Sequence, residues 1–257
     1  MGLPQIIINF RTAGSSAVRR SARGQAVLLA EGEKAELYSF SEAEQAESAG
    51  LAEGCRRLLR LCFLGGPAKV LLYLYPKGEE TAALARCAPA AEGGWLCAPQ
   101  MDAQTVTAFV KSKRAEGRPL RAVVSSETGP DCAGIVNLTT QGITVLLEGK
   151  TESVDTADYC ARIAGILAGL SLRESATYYP LPEVTGFVRS EDEEADIAAG
   201  RLILDQGSEG ARIARAVTSL TTLSQPGDSA FQKIKIAEGV DLIRADIRSV
   251  FESEYVG

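Results

Sequence analysis

The 257-residue chain contains no histidine, and several common catalytic and metal-binding arrangements therefore cannot be built from it. Histidine is the side chain that exchanges protons near neutral pH, and it is the commonest nitrogen ligand for metal ions. Ser-His and Cys-His nucleophile pairs and histidine-based zinc sites are thus excluded. Carboxylate, lysine and cofactor chemistry remain open on composition alone.

The carboxylates are most concentrated in one short segment. Five of six consecutive positions there are acidic: Glu191, Asp192, Glu193, Glu194 and Asp196. Paired carboxylates can hydrolyse glycosides, but they do so in a walled cleft that shifts their pKa values. The neighbouring residues here are Ala and Ser, a pattern typical of a solvated helix face. We therefore predict a surface helix at this segment.

The cysteines do not form a metal or redox motif. The closest two are seven residues apart and no C-x-x-C occurs, so the spacing predicts reduced, buried thiols. The six are Cys55, Cys62, Cys87, Cys97, Cys132 and Cys160. Phosphate-loop, dinucleotide-binding and nucleophile-elbow motifs are also absent. We predict no catalytic residue, no cofactor, no metal and no small-molecule ligand.

The net charge of −6 argues against a nucleic-acid partner, which would require a concentrated basic face. The apolar stretches fall well short of the ~20 residues of a membrane span, so we expect no membrane partner. A short basic stretch, with Arg11, Arg19, Arg20 and Arg23, fits contact with an acidic protein surface. A soluble protein made in the cytoplasm is the default expectation.

Strand and helix patterns alternate through residues 25–150, which predicts an α/β domain with a mainly parallel sheet and helices on both faces. Residues 25–30 and 35–40 are predicted as two strands around a turn at 31–34. Further strands are predicted at 68–75, 95–98 and 120–125, and helices at 54–64, 79–87 and 102–116. Residues 134–140 and 143–147 are predicted to close the domain as a hairpin.

Residues 151–257 are predicted as a smaller α+β region. A buried helix is expected at 156–170, with an ion pair between Asp158 and Arg162 and close packing at Gly165 and Gly169. Paired strands are expected at 202–204 and 211–216. The last element is predicted as an amphipathic helix with a regular apolar face, formed by Ile236, Val240, Ile243, Ile247 and Val250.

Residues 1–24 are predicted as an extended N-terminal arm and linker. Residues 3–10 have the apolar, β-branched character of a strand, and a stretch of small and basic residues follows them. A strand needs a partner edge, which can belong to the same chain or to another one. From the residues alone, the chain is a soluble α/β protein with no recognisable catalytic site.

Several long blocks of the sequence resemble contractile tail sheath proteins of bacteriophages, prophages and R-type bacteriocins of Firmicutes. The first block is GLPQIIINF followed by SSAVRRSARGQAVLLA. The others, in order, are DCAGIVNLTTQGI, TADYCARIAGILAGLSLRESATYYPLPEV, RIARAVTSLTTL and FQKIKIAEGVDLIRADIRSVFESEYVG. Residues 31–65 and 188–200 match less well. The blocks are ordered and cover most of the chain.

The resemblance implies a structural protein rather than an enzyme. Sheath subunits assemble helically around a tail tube on a baseplate, and contraction drives the tube through a target cell envelope. It also implies a location in the virion tail, assembly in the cytoplasm of the bacterial host, and a domain of subtilisin-like topology without protease function. Family members carry a further C-terminal domain after the block that resembles ESEYVG, and this sequence does not contain it.

In the family, terminal arms add strands to the sheet of a neighbouring subunit. By position and character, the resemblance gives this role to Ile6, Ile7, Ile8, Asn9 and Phe10. Two alternatives remain open. One is a non-contracting tail adaptor or tail-completion protein with the same fold. The other is a small-molecule α/β enzyme that uses the crevice at the carboxyl ends of the parallel strands.

Overall fold

The structure is a computed structural model that describes residues 24–223 and 229–255. The predicted arm, including Ile6, Ile7, Ile8, Asn9 and Phe10, lies outside the described residues. The strands are β1 Gln25–Glu31, β2 Glu36–Phe40, β3 Lys69–Tyr75, β4 Trp95–Cys97, β5 Ala122–Val124, β6 Ile135–Leu138, β7 Ile143–Leu147, β8 Lys150–Val154, β9 Val184–Gly186, β10 Arg201–Leu202, β11 Leu204–Gly207 and β12 Gly210–Ile213. The α-helices are α1 Gln45–Ser48, α2 Glu53–Phe63, α3 Glu80–Ala91, α4 Ala103–Ala115, α5 Thr156–Gly169, α6 Glu193–Ala198 and α7 Ile234–Tyr255.

Seven strands form the central sheet in the order β10-β6-β5-β4-β1-β3-β2. Every neighbouring pair is parallel except β2 with β3, which is antiparallel at the edge. A separate three-stranded sheet has the order β8-β7-β9, and β11 pairs with β12. The predicted α/β class, with a mainly parallel sheet and a smaller sheet region, is confirmed.

Strand β1 shows why the sheet is covered on both faces. Its side chains alternate, so Ala26 and Leu28 enter one apolar core while Val27 and Leu29 enter the other. Helices α2 and α5 supply the first core, and α3 and α4 supply the second. A parallel strand buried on both faces reads as a continuous apolar run, which is the pattern of QAVLLA.

Strands β1 and β2 are present as predicted, but they do not pair with each other. Strand β3 lies between them, parallel to β1 and antiparallel to β2. The turn at 31–34 therefore spans the width of one inserted strand, and Gly32 N donates to Tyr75 O (2.9 Å) at the end of that strand. The sequence pattern correctly located the strands but did not determine their order in the sheet.

The predicted closing hairpin of residues 134–140 and 143–147 is wrong. Strand β6 runs parallel to β5 inside the central sheet, whereas β7 pairs with β8 and β9 in the small sheet. All four residues of β6 are buried, as in a central strand. Its one polar residue, Asn137, is satisfied by the backbone of Ser126, accepting from N at 2.9 Å and donating to O at 3.0 Å.

Elements after residue 150 complete the central sheet and its core. Strand β10 pairs in parallel with β6, and α5 packs across β1, β4 and β5. The paired strands expected at 202–204 and 211–216 appear shifted, because Leu204 to Gly207 pairs with Gly210 to Ile213, and residues 201–202 join the large sheet. The predicted division into two regions at residue 150 stays a prediction.

Helix α5 is buried along its length, as predicted. The predicted ion pair between Asp158 and Arg162 is wrong, because each side chain has a partner on another element. Asp158 pairs with Arg57 of α2, and Arg162 pairs with Glu183, directly before β9 (Nε to Oε1, 2.6 Å). Because α5 is enclosed by other elements, its charged side chains find partners on those elements instead of on the next turn of α5.

Candidate assembly surfaces

The predicted surface helix is confirmed in the acidic segment. Helix α6 has no buried residue, and the Asp192 carboxylate accepts a hydrogen bond from Ala195 N at 3.0 Å. Asp196 pairs with Arg201 at 2.8 Å and accepts from the Ser190 hydroxyl at 2.6 Å. Its acidic residues thus cap and brace a short exposed helix rather than line a cleft.

One cavity at the carboxyl edge of the parallel strands is nearly filled. The cavity there, lined by Pro99, Met101, Val124 and Cys160 among others, has a volume of about 20 Å³. A single water molecule needs about 10–15 Å³ on the same measure, so the space fits about one water. Substrate pockets are usually far larger, on the order of 300–1,000 Å³. This cavity therefore has no room for a small-molecule substrate. An open groove of about 250 Å³ lies beside it, lined by Gln104, Lys111 and Ser126 among others.

All six thiols are free and buried, in line with the predicted reduced state. Burial raises the pKa of Cys62 to about 12 and that of Cys87 to about 11. The thiolate is the reactive form of cysteine, so these side chains act as small apolar residues. Within the described ranges, no group of three or more Cys, Asp or Glu side chains could hold a metal ion.

The edge of the central sheet at β2 offers an unpaired row of backbone groups. Strand β2 pairs with β3 on one side, and no other described strand pairs with its outer side. Leu37 on this strand is 59% exposed, although its neighbours along the chain are mostly polar. An exposed edge strand is a template for pairing with a further strand.

The final helix attaches to the domain through buried charges. Asp241 accepts two hydrogen bonds from the Arg114 guanidinium of α4, at 2.7 and 2.8 Å. Glu238 lies 3.1 Å from the Arg121 guanidinium, and Lys235 contacts Glu238 at 3.0 Å. Arg121 stacks over the indole ring of Trp95 in turn (5.1 Å). Asp241, Glu238 and Arg121 are each 3% exposed or less, so their charges must be paired.

The opposite face of α7 is apolar and open to solvent. Ile243 is 60% exposed, Ile247 53% and Ile236 39%. The prediction of a helix with Ile236, Val240, Ile243, Ile247 and Val250 on one face is confirmed, and the three isoleucines of that face point to solvent. The polar face is inward because the buried Arg114 and Arg121 select carboxylates as partners.

A carboxylate also fixes the loop that precedes α7. Asp131 accepts from the Thr222 hydroxyl (2.7 Å), Thr222 N (2.9 Å) and Thr221 N (2.7 Å). These donors, with the Thr222 hydroxyl as the largest contributor, hold the pKa of Asp131 well below its usual range. Sequence reasoning did not identify this residue, because its partners lie 90 residues away.

None of the helices in the described part of the chain combines the length and apolar character that a membrane span needs. No protein-family model matches the chain. Curated relatives do match it, and two of them are tail sheath proteins. A tail sheath protein of Clostridium phage phiCD119 is 27% identical over 268 residues, covering 99% of this chain and 74% of that relative. A tail sheath protein of Staphylococcus phage Twort is 27% identical over 190 residues, covering 65% of this chain and 32% of that relative.

Solved structures agree with this result. The sheath tail protein from Desulfitobacterium hafniense superposes with a TM-score of 0.74 at 15% identity, covering 91% of this chain and 80% of that one. The helical sheath of the anti-feeding prophage in its contracted state superposes with a TM-score of 0.66 at 14% identity, covering 89% and 69%. At this identity the structural likeness establishes a shared fold.

The fold is therefore shared with the sheath tail proteins. Sequence and structure together confirm the predicted resemblance: over nearly its whole length the chain is similar to phage tail sheath proteins.

Proposed function

We propose that the chain is a structural subunit of a contractile tail sheath. The observation that carries this proposal is the agreement of two comparisons over nearly the whole chain, one of sequence with a phage sheath protein and one of fold with a sheath tail protein. The nearly filled cavity beside Pro99 and the buried thiols support a role in assembly rather than catalysis.

Assembly into a sheath requires a contact between two different surfaces of the subunit. Such a head-to-tail contact, when it does not close into a ring, generates a helix. We assign one side of the contact to the arm residues Ile6–Phe10. The outer edge of β2 offers the backbone donors and acceptors that an added strand needs, and it supports this assignment.

Contraction requires two packings of rigid subunits that differ in free energy and are joined by tethers. The two-faced core supports the rigid part, because both sides of the central sheet are covered by helices. Residues 11–24 are the proposed tether. The energy released on contraction is then stored in the lattice at assembly, and the subunit needs no catalytic turnover.

The partners in this proposal are other copies of the chain, the tail tube and the baseplate. The assembly forms in the cytoplasm of the bacterial host and ends in the virion tail. Nucleic acid, membrane and small-molecule ligands have no part in it.

Negative-stain electron microscopy of the purified chain tests the proposal. Ordered helical polymers or tubes are expected from the full 257 residues, and none from a variant that lacks residues 1–22. A matched pair separates side-chain loss from chain shortening: Ile6→Asp with Ile8→Asp should abolish polymers, and Ile6→Val with Ile8→Val should retain them. Ordered polymers from the deletion variant would refute the role of the arm.

The number of copies per virion distinguishes a sheath subunit from a tail adaptor. A sheath subunit lies along the whole tail, so its copy number rises with tail length, whereas an adaptor forms a single ring. Quantitative mass spectrometry of purified particles, with the tube protein as internal standard, measures this ratio. A sheath requires copies comparable to the tube protein, and one ring's worth would contradict the proposal.

A further inference from the structure

The outward face of α7 is an apolar surface that the described part of the chain leaves exposed. Ile236, Ile243 and Ile247 recur at helical spacing, and all three are 39% exposed or more. Scattered exposed apolar residues are ordinary in proteins, but a continuous apolar stripe marks a contact surface. The buried charges on the other side of the helix fix this stripe outward, so rotation of α7 cannot hide it.

The chain contains an apolar segment of matching character outside the described residues. Residues 3–10 include Leu3, three consecutive isoleucines and Phe10. In an extended segment alternate side chains share a face, so an extended arm would present Ile6, Ile8 and Phe10 on one side and Asn9 on the other. Such a segment offers one apolar side to a surface.

The described chain begins close to α7. Ala26 pairs with Trp95 on the neighbouring strand, Arg121 stacks over Trp95, and Arg121 pairs with Glu238 on α7. The start of β1 and the start of β5 are therefore separated by two strand spacings, about 10 Å. Both are at the edge of the sheet where α7 is attached.

The lengths also agree. Residues 11–23 are 13 residues long and can span up to about 45 Å when extended. A helix is roughly 10–12 Å thick. The linker is therefore long enough to run from Gly24 around α7 to its outer face. The stripe from Ile236 to Ile247 is about 17 Å long. Residues 6–10, which include Ile6, Ile8 and Phe10, extend over about 13 Å and fit within it, and residues 3–5 extend about 10 Å further, past its end.

Charge favours the same placement. Arg11 directly follows the apolar segment, and Asp246 is exposed on the flank of the stripe. An extended segment bound along the stripe can bring these opposite charges together at its end.

We propose that, in the unassembled subunit, residues 3–10 lie on the apolar face of α7 in the same chain. This inference rests on the proposed function, since it names where the arm lies before it reaches a neighbouring subunit. Exchange of one segment between its own chain and a copy is the geometry of domain swapping. The stored arm would cover the apolar face of α7 and would keep the arm from pairing before assembly.

Photo-crosslinking on the full-length chain tests the inference. A benzoylphenylalanine replaces Ile247, and the monomer fraction from size exclusion is irradiated, digested with trypsin and analysed by mass spectrometry. The expected product is an intramolecular link to the tryptic peptide of residues 1–11. The same photo-reactive residue at Val188, which is 63% exposed, is the control and should give no link to that peptide.

Every other product overturns the inference. A link between two copies, a link from position 247 to a different peptide, or no link would each show that residues 3–10 do not cover α7 in their own chain. A second pair of variants tests the side chains: Ile6→Asp with Ile8→Asp should reduce the link at least tenfold, and Gln5→Asp with Asn9→Asp should change it less than twofold. Equal reduction by both pairs would also overturn it.

The two proposals fail independently. Absence of polymers from the full chain would refute the sheath function, and the crosslink in the monomer would be unaffected. Polymers without the crosslink would refute the stored arm alone.

Discussion

A Cβ atom added to Gly165 would lie 1.9 Å from the carbonyl oxygen of Cys62, so helices α5 and α2 cross with their backbones in contact. One turn further on, a Cβ on Gly169 would lie 2.4 Å from Gly65 O. The small-residue spacing in α5 was predicted to mark close packing, and the structure confirms it. Backbone atoms on both sides cannot move aside as a flexible side chain could.

Replacing Gly165 by Ala should therefore destabilise the protein by about 3 kcal/mol, at the upper end of the range for overpacking a core. The urea midpoint of unfolding measures the effect. Gly239→Ala in α7 is the matched control, because a Cβ there meets nothing within 4 Å. That control should stabilise the protein by about 0.5–1 kcal/mol through helix propensity. Equal effects of the two substitutions would contradict the backbone contact.

Glu183→Gln tests the buried charge cluster beside α5. Glu183 accepts from Arg162 Nε (2.6 Å) and from the Tyr159 hydroxyl (2.7 Å), and all three side chains are buried. Removing the negative charge leaves the guanidinium without a counterion, which should cost about 3 kcal/mol. Urea unfolding at pH 7 provides the measurement.

Asp158→Asn is the control for that substitution. Asp158 pairs with Arg57 in a partly exposed position, at side-chain exposures of 18% and 31%. Loss of this ion pair should lower the free energy of unfolding by about 1 kcal/mol or less. If Asp158 and Arg162 paired with each other, as local spacing suggested, the two substitutions would have similar effects.

Local sequence patterns were sufficient to find most strands and helices of the central domain, because apolar periodicity is a local property. They did not determine which strands pair. Strand β6 is four residues long, and IVNL is compatible with a hairpin or with a central parallel strand. The choice depends on β10, which arrives more than 60 residues later and pairs with Asn137 and Leu138.

The final helix shows a second limit of sequence reasoning. Its apolar face was correctly located, but the sequence pattern alone does not show which way that face points, and an apolar stripe usually faces inward. Here the stronger constraint is the pair of buried arginines, Arg114 and Arg121, which require Glu238 and Asp241 beside them. Those arginines lie more than 100 residues upstream, and no local pattern links them to the helix. The candidate assembly surface was therefore visible only in the structure.

Acid should weaken the clamp between Asp131 and the loop at Thr221 and Thr222. The pKa of Asp131 is lower in the folded state than in the unfolded chain, so its stabilisation is fully present above pH ~4 and is lost as pH falls further. Asp131→Asn should lower the free energy of unfolding by about 2 kcal/mol at pH 7. The NH₂ group of the amide cannot accept a hydrogen bond, so either the Thr222 hydroxyl or the backbone donors lose their acceptor. Asn also tolerates the positive φ of 42° at this position.

Urea unfolding at pH 7 and at pH 3 measures the pH dependence. The difference in stability between the wild type and Asp131→Asn should shrink at the lower pH, because the wild-type carboxyl begins to take up protons in the unfolded chain. A difference that stays constant from pH 7 to pH 3 would show that the carboxylate charge does not carry the interaction.

Asp241→Asn should loosen α7 from the domain while leaving the central sheet intact. Asp241 is 3% exposed and accepts both hydrogen bonds of the Arg114 fork, so neutralising it leaves a largely buried guanidinium unpaired. The expected cost is about 3 kcal/mol. Because Asp241 lies in the middle of the attached part of α7, the loss should appear as local opening of the helix. Hydrogen exchange in residues 234–248 should become faster, and exchange in α5 should be unchanged.

Asp246→Asn is the control. It removes an exposed carboxylate on the same helix and should change exchange in neither region. If Asp241→Asn accelerated exchange in α5 as strongly as in α7, the helix would be part of the cooperative core, and its attachment through buried charges would not be a separate feature of the fold.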